Sequence, residues 1–141
     1  MDKFQNIRPI ALGIAIKNNK LLVMDGYDSK KGQHFYRCLG GGIEFLEKGE
    51  DALKREFKEE LNKDIKVNNF LGLSENIFNY EGKDAHELVL FYSIDIDEDD
   101  TNHTYKILDE IDNNTIVSWE PVEDFKNKIK IIYPEDILDI L

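Results

Sequence analysis

Apolar and polar residues alternate along much of the chain, a pattern that predicts a protein built mainly of strands. Residues 8–17 carry Ile or Leu at every second position from 10 to 16, the period of a half-buried strand. Asn18 and Asn19 follow, and asparagine tolerates the positive φ of a tight hairpin turn. Residues 20–27 are therefore predicted as the return strand. Further strands are predicted at residues 34–39, 65–67, 70–80, 85–96 and 115–120.

Helices are predicted in three places. Residues 50–61 form the strongest one, because good helix formers such as Ala, Leu, Glu, Lys and Arg occupy most positions. Asn62 is suited to the left-handed residue that ends a helix. Two prolines stand where a proline opens a helix, so short helices are expected at residues 121–126 and 134–140. Strands mixed with helices favour one α/β sandwich, and we expect residues 1–141 to be a single domain.

Composition and charge restrict the environment and the partners. The chain has one cysteine, Cys38, so no internal disulfide can form and a reducing cytoplasm is the expected location. No apolar run is long enough for a membrane span, and the first residues lack the apolar core of a signal peptide. The net charge of −11 repels nucleic acid, so duplex DNA or RNA is not an expected partner. A small phosphate ligand stays open, because metal ions can screen the local repulsion.

Residues 41–62, GGIEFLEKGEDALKREFKEELN, contain the chemistry of the chain. A glycine turn leads into a loop with Glu44 and Glu47, and the strongest predicted helix follows. A helix advances about 100° per residue, so Glu60 lies about 40° to one side of Glu56 and Glu59 about 60° to the other. The three carboxylates form a stripe that borders the apolar stripe of the helix.

This arrangement is locally unfavourable. Glu56 and Glu60 are like charges one turn apart, and Glu59 and Glu60 lie near the helix C-terminus, where the helix dipole disfavours anions. Such a local conflict is typical of a functional site. Clustered carboxylates beside glycines suit Mg²⁺, which bridges carboxylates to substrate phosphates. The alternative is a solvated Glu/Lys/Arg helix face, which composition alone would favour.

The spacing of these residues resembles a known family motif. The order Gly41-x5-Glu47-x7-Arg55-Glu56-Phe57-x-Glu59-Glu60-x-Asn62 is similar to the Nudix box, G-x5-E-x7-R-E-U-x-E-E-x-G-U, where U is bulky and apolar. Every fixed position matches except the last two. A chance match is roughly below one in a million per starting position.

The departures from the box lie around the carboxylates and do not remove any of them. Asn62 stands where glycine is usual, and asparagine is the next best left-handed residue. Lys63 replaces an apolar residue whose packing role Ile65 can take. Leu46 and Lys48 stand where many members carry a small turn residue, which leaves the path of the loop before the helix open.

The resemblance implies a Nudix-type α/β/α sandwich with a mixed β-sheet. The implied activity is divalent-metal-dependent hydrolysis of a diphosphate linkage in a nucleoside diphosphate derivative or a nucleoside triphosphate. The implied cofactor is Mg²⁺ or Mn²⁺, and the partner is a small nucleotide. A homodimer is an expectation from the family alone. Oxidised nucleotides, dinucleoside polyphosphates, nucleotide sugars and plain triphosphates all stay open as substrates.

The resemblance also implies residue roles. Glu56 and Glu60 resemble the principal metal ligands, with Glu59 a further ligand or a base that acts through water. The carbonyl of Gly40 resembles the non-carboxylate ligand. Arg55 resembles the residue that orients the catalytic glutamates through charged hydrogen bonds.

Three residues outside these matched ligands have less defined roles. Glu47 is expected to support the site structurally. Glu87 and Glu110 are candidates for a general base outside the box, since the position of the base varies in this family.

Two other functions remain as alternatives. One is a Nudix-fold nucleotide-binding or sensor module with little turnover, although such modules commonly lose the glutamates present here. The other is an acidic protein-interaction domain, which would require the spacing to be a coincidence.

Several near matches to other sites favour structural roles. His86-Glu87 begins like a zinc protease helix, but the second histidine is missing and the segment alternates like a strand. Cys38 has no adjacent histidine and is expected to be a small buried residue. Trp119 is expected in the core, and Tyr80 is expected to be an ordinary strand tyrosine.

Overall fold

The computed structural model describes residues 5–98, 100–107 and 115–141. The strands in these residues are β1 (Ile7–Ile14), β2 (Ile16–Lys17), β3 (Lys20–Asp28), β4 (Gln33–Arg37), β5 (Leu39–Gly42), β6 (Ile65–Tyr80), β7 (Lys83–Ile96), β8 (Tyr105–Lys106) and β9 (Ile116–Pro121). The helices are α1 (Gly49–Leu61), α2 (Val122–Lys126) and a 3₁₀ helix (Glu135–Asp139). In these residues, no helix is long and apolar enough to cross a bilayer.

The local signals for turns and helix ends are confirmed. Asn18 and Asn19 have φ of 51° and 62°, which close the predicted hairpin. The helix α1 begins one residue before the predicted start, and Asn62 ends it with φ of 53°. The backbone N–H of Asn62 donates to the carbonyl of Lys58 at 3.0 Å, so one of the last free carbonyls of the helix is satisfied.

Two predicted strands are each divided between the two sheets of the structure. Residues 34–39 separate at Cys38 into β4, which pairs with β3, and β5, which pairs with β1. Residues 8–17 separate at Ala15 in the same way. Ala15 and Cys38 are themselves apolar, and no glycine, proline or asparagine stands at either break, so the sequence does not reveal the change of sheet.

The predicted strands at residues 65–67 and 70–80 are one strand, β6. Its register against β7 shifts between Val67 and Asn69 and again between Phe70 and Gly72. A bulge accommodates an extra residue without ending the strand, so the polar Asn68 and Asn69 do not interrupt β6. The predicted C-terminal helix is the short 3₁₀ helix.

The strands form two sheets. The first has the order β5-β1-β7-β6, with β1 parallel to β7 and antiparallel to β5. The second has the order β2-β3-β9-β8, and β4 pairs with β3. The predicted mixed sheet and α/β class are therefore confirmed.

The core has two parts, which lie on opposite faces of β1. Ile10 and Leu12 face a cluster that includes residues of α2 and the 3₁₀ helix. Ala11 and Ala15 face the cluster formed by the apolar stripe of α1, and Trp119 is buried there as predicted. Strand β1 thus holds α1 on one side, and its pairing with β5 places the glycines of residues 40–42 beside α1.

Gly40 provides a test of this close packing. A Cβ atom at Gly40 would lie 1.9 Å from the carbonyl oxygen of Ala11, whereas a Cβ atom at Gly72 would meet nothing within 4 Å. Both glycines have φ of 152°, so alanine brings the same backbone strain to each position. We expect Gly40→Ala to lower the free energy of unfolding by at least about 2 kcal/mol more than Gly72→Ala, measured by urea denaturation. Equal losses would contradict the contact between β5 and β1.

Candidate functional site

The carboxylate of Glu56 lies directly against the glycine strand β5. A Cβ atom at Gly41 would lie 2.5 Å from the carboxyl carbon of Glu56, so only glycine leaves room for that side chain. Glu56 is on the part of α1 that faces β5, and its side chain is 18% exposed. This contact places a carboxylate of α1 beside the backbone of Gly41.

Arg55 connects the loop, the strand and the helix of the site. Its Nε and Nη2 atoms donate to the two carboxylate oxygens of Glu47, each at 2.9 Å. Nη2 also donates to the carbonyl of Gly42 at 3.0 Å. Nη1 donates to Glu56 at 2.9 Å and to Glu59 at 3.4 Å. One guanidinium group therefore fixes Glu56 relative to the glycine strand and also contacts Glu59.

The charges of this network are stabilised by its hydrogen bonds. The two-pronged contact from Arg55 and the backbone N–H of Glu44 hold the pKa of the Glu47 carboxyl at about 2, well below its usual range. The contact with Glu47 also raises the pKa of Arg55 above its usual value, and the contact with Glu56 adds to this. The network therefore keeps Arg55 charged and Glu47 ionised at neutral pH.

Glu59 and Glu60, the other predicted carboxylate ligands, do not form a cluster with Glu56 in this structure. Glu60 is half-buried, one turn after Glu56, and Glu59 is 60% exposed. Across the described parts of the chain, no three carboxylate, imidazole or thiol groups converge closely enough to hold a metal ion. The contacts with Arg55 account for part of this, because they turn Glu56 and Glu59 toward the guanidinium group.

The donor chemistry nevertheless fits a hard divalent cation. Carboxylates and a backbone carbonyl are the oxygen ligands that Mg²⁺ and Mn²⁺ prefer. The contact of Glu56 with Gly41 places one carboxylate beside the strand that carries the Gly40 carbonyl. The ligand roles of Gly40, Glu56, Glu59 and Glu60 stay predictions.

The loop between β5 and α1 takes a path that the sequence left open. Leu46 has φ of 69°, in the left-handed region where a leucine side chain costs about 1–2 kcal/mol. Phe45 and Leu46 are 93% and 92% exposed, so neither side chain compensates by packing. A small turn residue would fit this position better, which agrees with its common use there in the family.

A cavity of about 700 Å³ is lined by strands of both sheets. Its walls are rich in aromatic rings, contributed by Tyr27, His34, Phe35, Phe78, Tyr80 and Tyr133. The glutamates of α1 do not line it. Sequence reasoning missed this cavity, because its residues are spread over more than a hundred positions with no common motif. Tyr80 lies on β6 as expected, and it also contributes to the cavity.

Glu87, one of the two predicted bases, lies where this cavity meets a smaller one. The smaller cavity has a volume of about 180 Å³ and reaches Gly40, Gly41 and Gly42. Glu87 is only 4% exposed. Its two carboxylate oxygens face Arg37 at 2.9 Å and Arg8 at 3.8 Å. Glu110, the other predicted base, lies outside the described residues.

Two near matches have the structural roles that were expected. Cys38 is 1% exposed, and burial raises the pKa of its thiol to about 12, so it stays protonated and unreactive at neutral pH. His86 lies on strand β7, not on a zinc-binding helix.

Comparison with known proteins agrees with this geometry. The family model of the Nudix domain matches residues 7–137. No curated protein matches the chain in sequence.

Solved structures share the fold at low sequence identity. The E. coli ORF135 protein has a TM-score of 0.63 and 17% identity, over 94% of this chain and 84% of its own. The MutT Nudix hydrolase from Burkholderia pseudomallei has a TM-score of 0.62 and 16% identity, over 84% of this chain and 86% of its own. An ADP-ribose pyrophosphatase from Streptococcus suis has a TM-score of 0.58 and 10% identity, over 96% and 89% respectively.

The family match extends over nearly the whole chain and includes Gly41, Glu47, Arg55, Glu56, Glu59 and Glu60 of the motif. Arg55 and Glu56 of that motif contact the glycine strand as one unit. The chain belongs to the Nudix family, and the enzyme class of this family is pyrophosphohydrolase.

Proposed function

We propose that this protein is a divalent-metal-dependent pyrophosphohydrolase that cleaves a diphosphate linkage in a nucleoside diphosphate derivative or a nucleoside triphosphate. The metal is Mg²⁺ or Mn²⁺. The observation that carries the proposal is the network of Arg55, which holds Glu56 against the glycine strand while Glu47 anchors the guanidinium group. The small nucleotides acted on by Nudix proteins agree with this substrate class.

The residues of the chain divide the work as follows. Glu56 and Glu60 with the carbonyl of Gly40 would hold the metal, which when bound lowers the pKa of a water molecule and stabilises the leaving phosphate. Arg55 sets the direction of Glu56 through a charged hydrogen bond. Glu59 has the weaker contact with Arg55 and is mostly exposed, so its side chain can turn to a ligand position or take a proton through water.

The alternative function is a Nudix-fold nucleotide-binding or sensor module with little turnover. The observation that would favour it is the lack of three converged carboxylates in the described residues. The four residues predicted as catalytic are all present, however: Arg55, Glu56, Glu59 and Glu60. Arg55 and Glu56 are also in contact. The hydrolase is therefore the better supported function.

The proposal also covers the domain organisation, the partners and the location of the protein. Residues 1–141 are assigned to a single Nudix domain, on the strength of the match over residues 7–137. The acidic net charge supports a small nucleotide over duplex nucleic acid. The single cysteine supports a cytoplasmic location, and a homodimer rests on family resemblance alone.

Removal of a metal-binding carboxylate should abolish turnover. We expect Glu56→Gln and Glu60→Gln each to lower kcat by about a hundredfold or more, because each change removes a charged oxygen from the site. The measurement is phosphate release from a panel of nucleoside diphosphate derivatives and triphosphates, with a coupling phosphatase or pyrophosphatase and saturating Mg²⁺ or Mn²⁺. Glu50→Gln is the matched control, since Glu50 is exposed on the first turn of the same helix. Full turnover of Glu60→Gln would exclude the assigned role of Glu60.

The contact between Arg55 and Glu47 should make stability depend on pH. The pKa of Glu47 is about 2 in the folded protein and 4.5 without its partners, so its stabilising effect is complete above pH 4.5. This effect is lost as the pH falls from about 4.5 to about 2. Urea unfolding of the metal-free protein should show a stability difference between wild type and Glu47→Gln that is largest near neutral pH and shrinks over this window. A difference that does not change with pH would contradict the contact.

A further inference from the structure

We propose that Arg37 and Arg8 bind the phosphate chain of the substrate, and that the buried Glu87 positions both guanidinium groups for this purpose. The nucleoside would lie in the aromatic cavity of about 700 Å³, and the linkage to be cleaved would lie toward the glycine strand β5. The inference rests on the proposed function, because it assigns a phosphate-bearing substrate to the same site. It replaces the prediction that Glu87 is a general base with a positioning role.

The cluster has two positive groups for one negative group. Glu87 on β7 lies opposite Arg8 on β1, and Arg37 is the last residue of β4 in the other sheet. A single guanidinium group would be enough to balance one buried carboxylate. Two guanidinium groups share Glu87, so the cluster keeps one net positive charge. Arg37 and Arg8 have side chains that are 24% and 45% exposed, so both can reach a ligand.

The cluster lies where the two cavities meet. Arg8, Arg37 and Glu87 line both the large aromatic cavity and the smaller cavity that reaches residues 40–42. Gly41 contacts Glu56 of the predicted metal site. A molecule that extends from the aromatic cavity toward the metal site would therefore pass the two guanidinium groups.

Three other charged side chains of the large cavity, Asp25, Asp28 and Lys31, already have hydrogen-bond partners. Asp28 accepts hydrogen bonds from the backbone N–H groups of Lys30 and Lys31, at 3.0 and 3.1 Å. Asp25 accepts one from the N–H of Ile116 at 2.8 Å. The ammonium group of Lys31 donates to the carbonyl of Asn79 at 2.7 Å. These groups hold neighbouring loops and strands together, whereas Arg8 and Arg37 share Glu87 as their partner within the described residues.

The chemistry of the two sides fits a nucleotide. Guanidinium groups bind phosphate oxygens with two parallel hydrogen bonds and stay charged at any relevant pH. On the aromatic side, Phe35 lies over Gly26, where a Cβ atom would be 2.5 Å from its ring. The ring of Phe35 also packs against Tyr80 and Tyr133, with centroid distances of 6.0 and 5.7 Å. Such a cavity suits a planar base.

A purely structural role for the cluster makes a different prediction. In that case the ion pairs only join the two sheets, and their removal changes stability without changing the preference for phosphate. The double variant Arg37→Gln with Glu87→Gln distinguishes the two roles. It removes both charges together, so no unpaired carboxylate is left buried, and the two amides can still form a hydrogen bond.

The experiment is isothermal titration calorimetry in EDTA, where no turnover occurs. The probes are ADP, CDP, GDP and UDP, each compared with its own nucleoside. We expect wild type to bind the diphosphate of the preferred base at least about tenfold more tightly than the nucleoside. In the double variant this ratio should fall to about threefold or less, while the affinity for the nucleoside stays the same. Glu87→Gln alone adds one net positive charge to the cluster, so a fall in the ratio can come only from lost positioning of Arg37 and Arg8. We expect a partial fall, and an unchanged or higher ratio would overturn the positioning role of Glu87.

The control is Lys31→Gln, which removes one positive charge from the wall of the same cavity. It should leave the ratio unchanged, and a loss equal to that of the double variant would show a general charge effect and overturn the inference. The inference also fails if wild type has no preference for diphosphates, or if the folded double variant keeps it. A urea unfolding transition confirms that the double variant is folded.

This test is independent of the test of the hydrolase. Binding in EDTA requires neither a metal nor turnover. A preference that depends on Arg37 in a protein with no hydrolase activity would support the binding site and contradict the proposed function. Metal-dependent turnover with a preference that does not depend on Arg37 would do the reverse.

Discussion

The candidate site depends on one interaction, the two-pronged contact between Arg55 and Glu47. Glu47 belongs to the loop before α1, and Arg55 to the second turn of that helix. The guanidinium group still has donors for the carbonyl of Gly42 and for Glu56. Because a guanidinium group is planar and rigid, fixing it on Glu47 also fixes the direction of Glu56. The repulsion among the glutamates of α1 is reduced by the same charge.

This network can form only because the strands bring the glycines beside α1. The chain leaves one sheet after β4 and enters the other at β5, and Cys38 at this change is buried in the core. Strand β5 then pairs with β1, close enough that any side chain at Gly40 would meet the backbone of Ala11. Gly41 faces the other way and provides the surface on which Glu56 lies. The absence of side chains in this strand is therefore a requirement of the site.

Sequence reasoning succeeded where the signal is local. The hairpin at Asn18 and Asn19, the helix α1 and its end at Asn62 all follow from the preferences of neighbouring residues. The spacing of Gly41, Glu47 and Arg55 predicted a common site, and the structure brings these elements together. Features that depend on residues far apart in the chain were not predicted. The changes of sheet at Ala15 and Cys38 are not marked by a turn residue, and Arg8, Arg37 and Glu87 come from three strands with no shared spacing.

Glu56, which Arg55 orients, is proposed to hold a divalent metal together with Glu60. The most direct measurement is a titration of the protein with Mn²⁺, followed by electron paramagnetic resonance of the free ion. The account predicts that wild type binds Mn²⁺, and that Glu56→Gln weakens the binding by about tenfold or more while Glu50→Gln does not. No binding by wild type, or equal binding by wild type and Glu56→Gln, would contradict it.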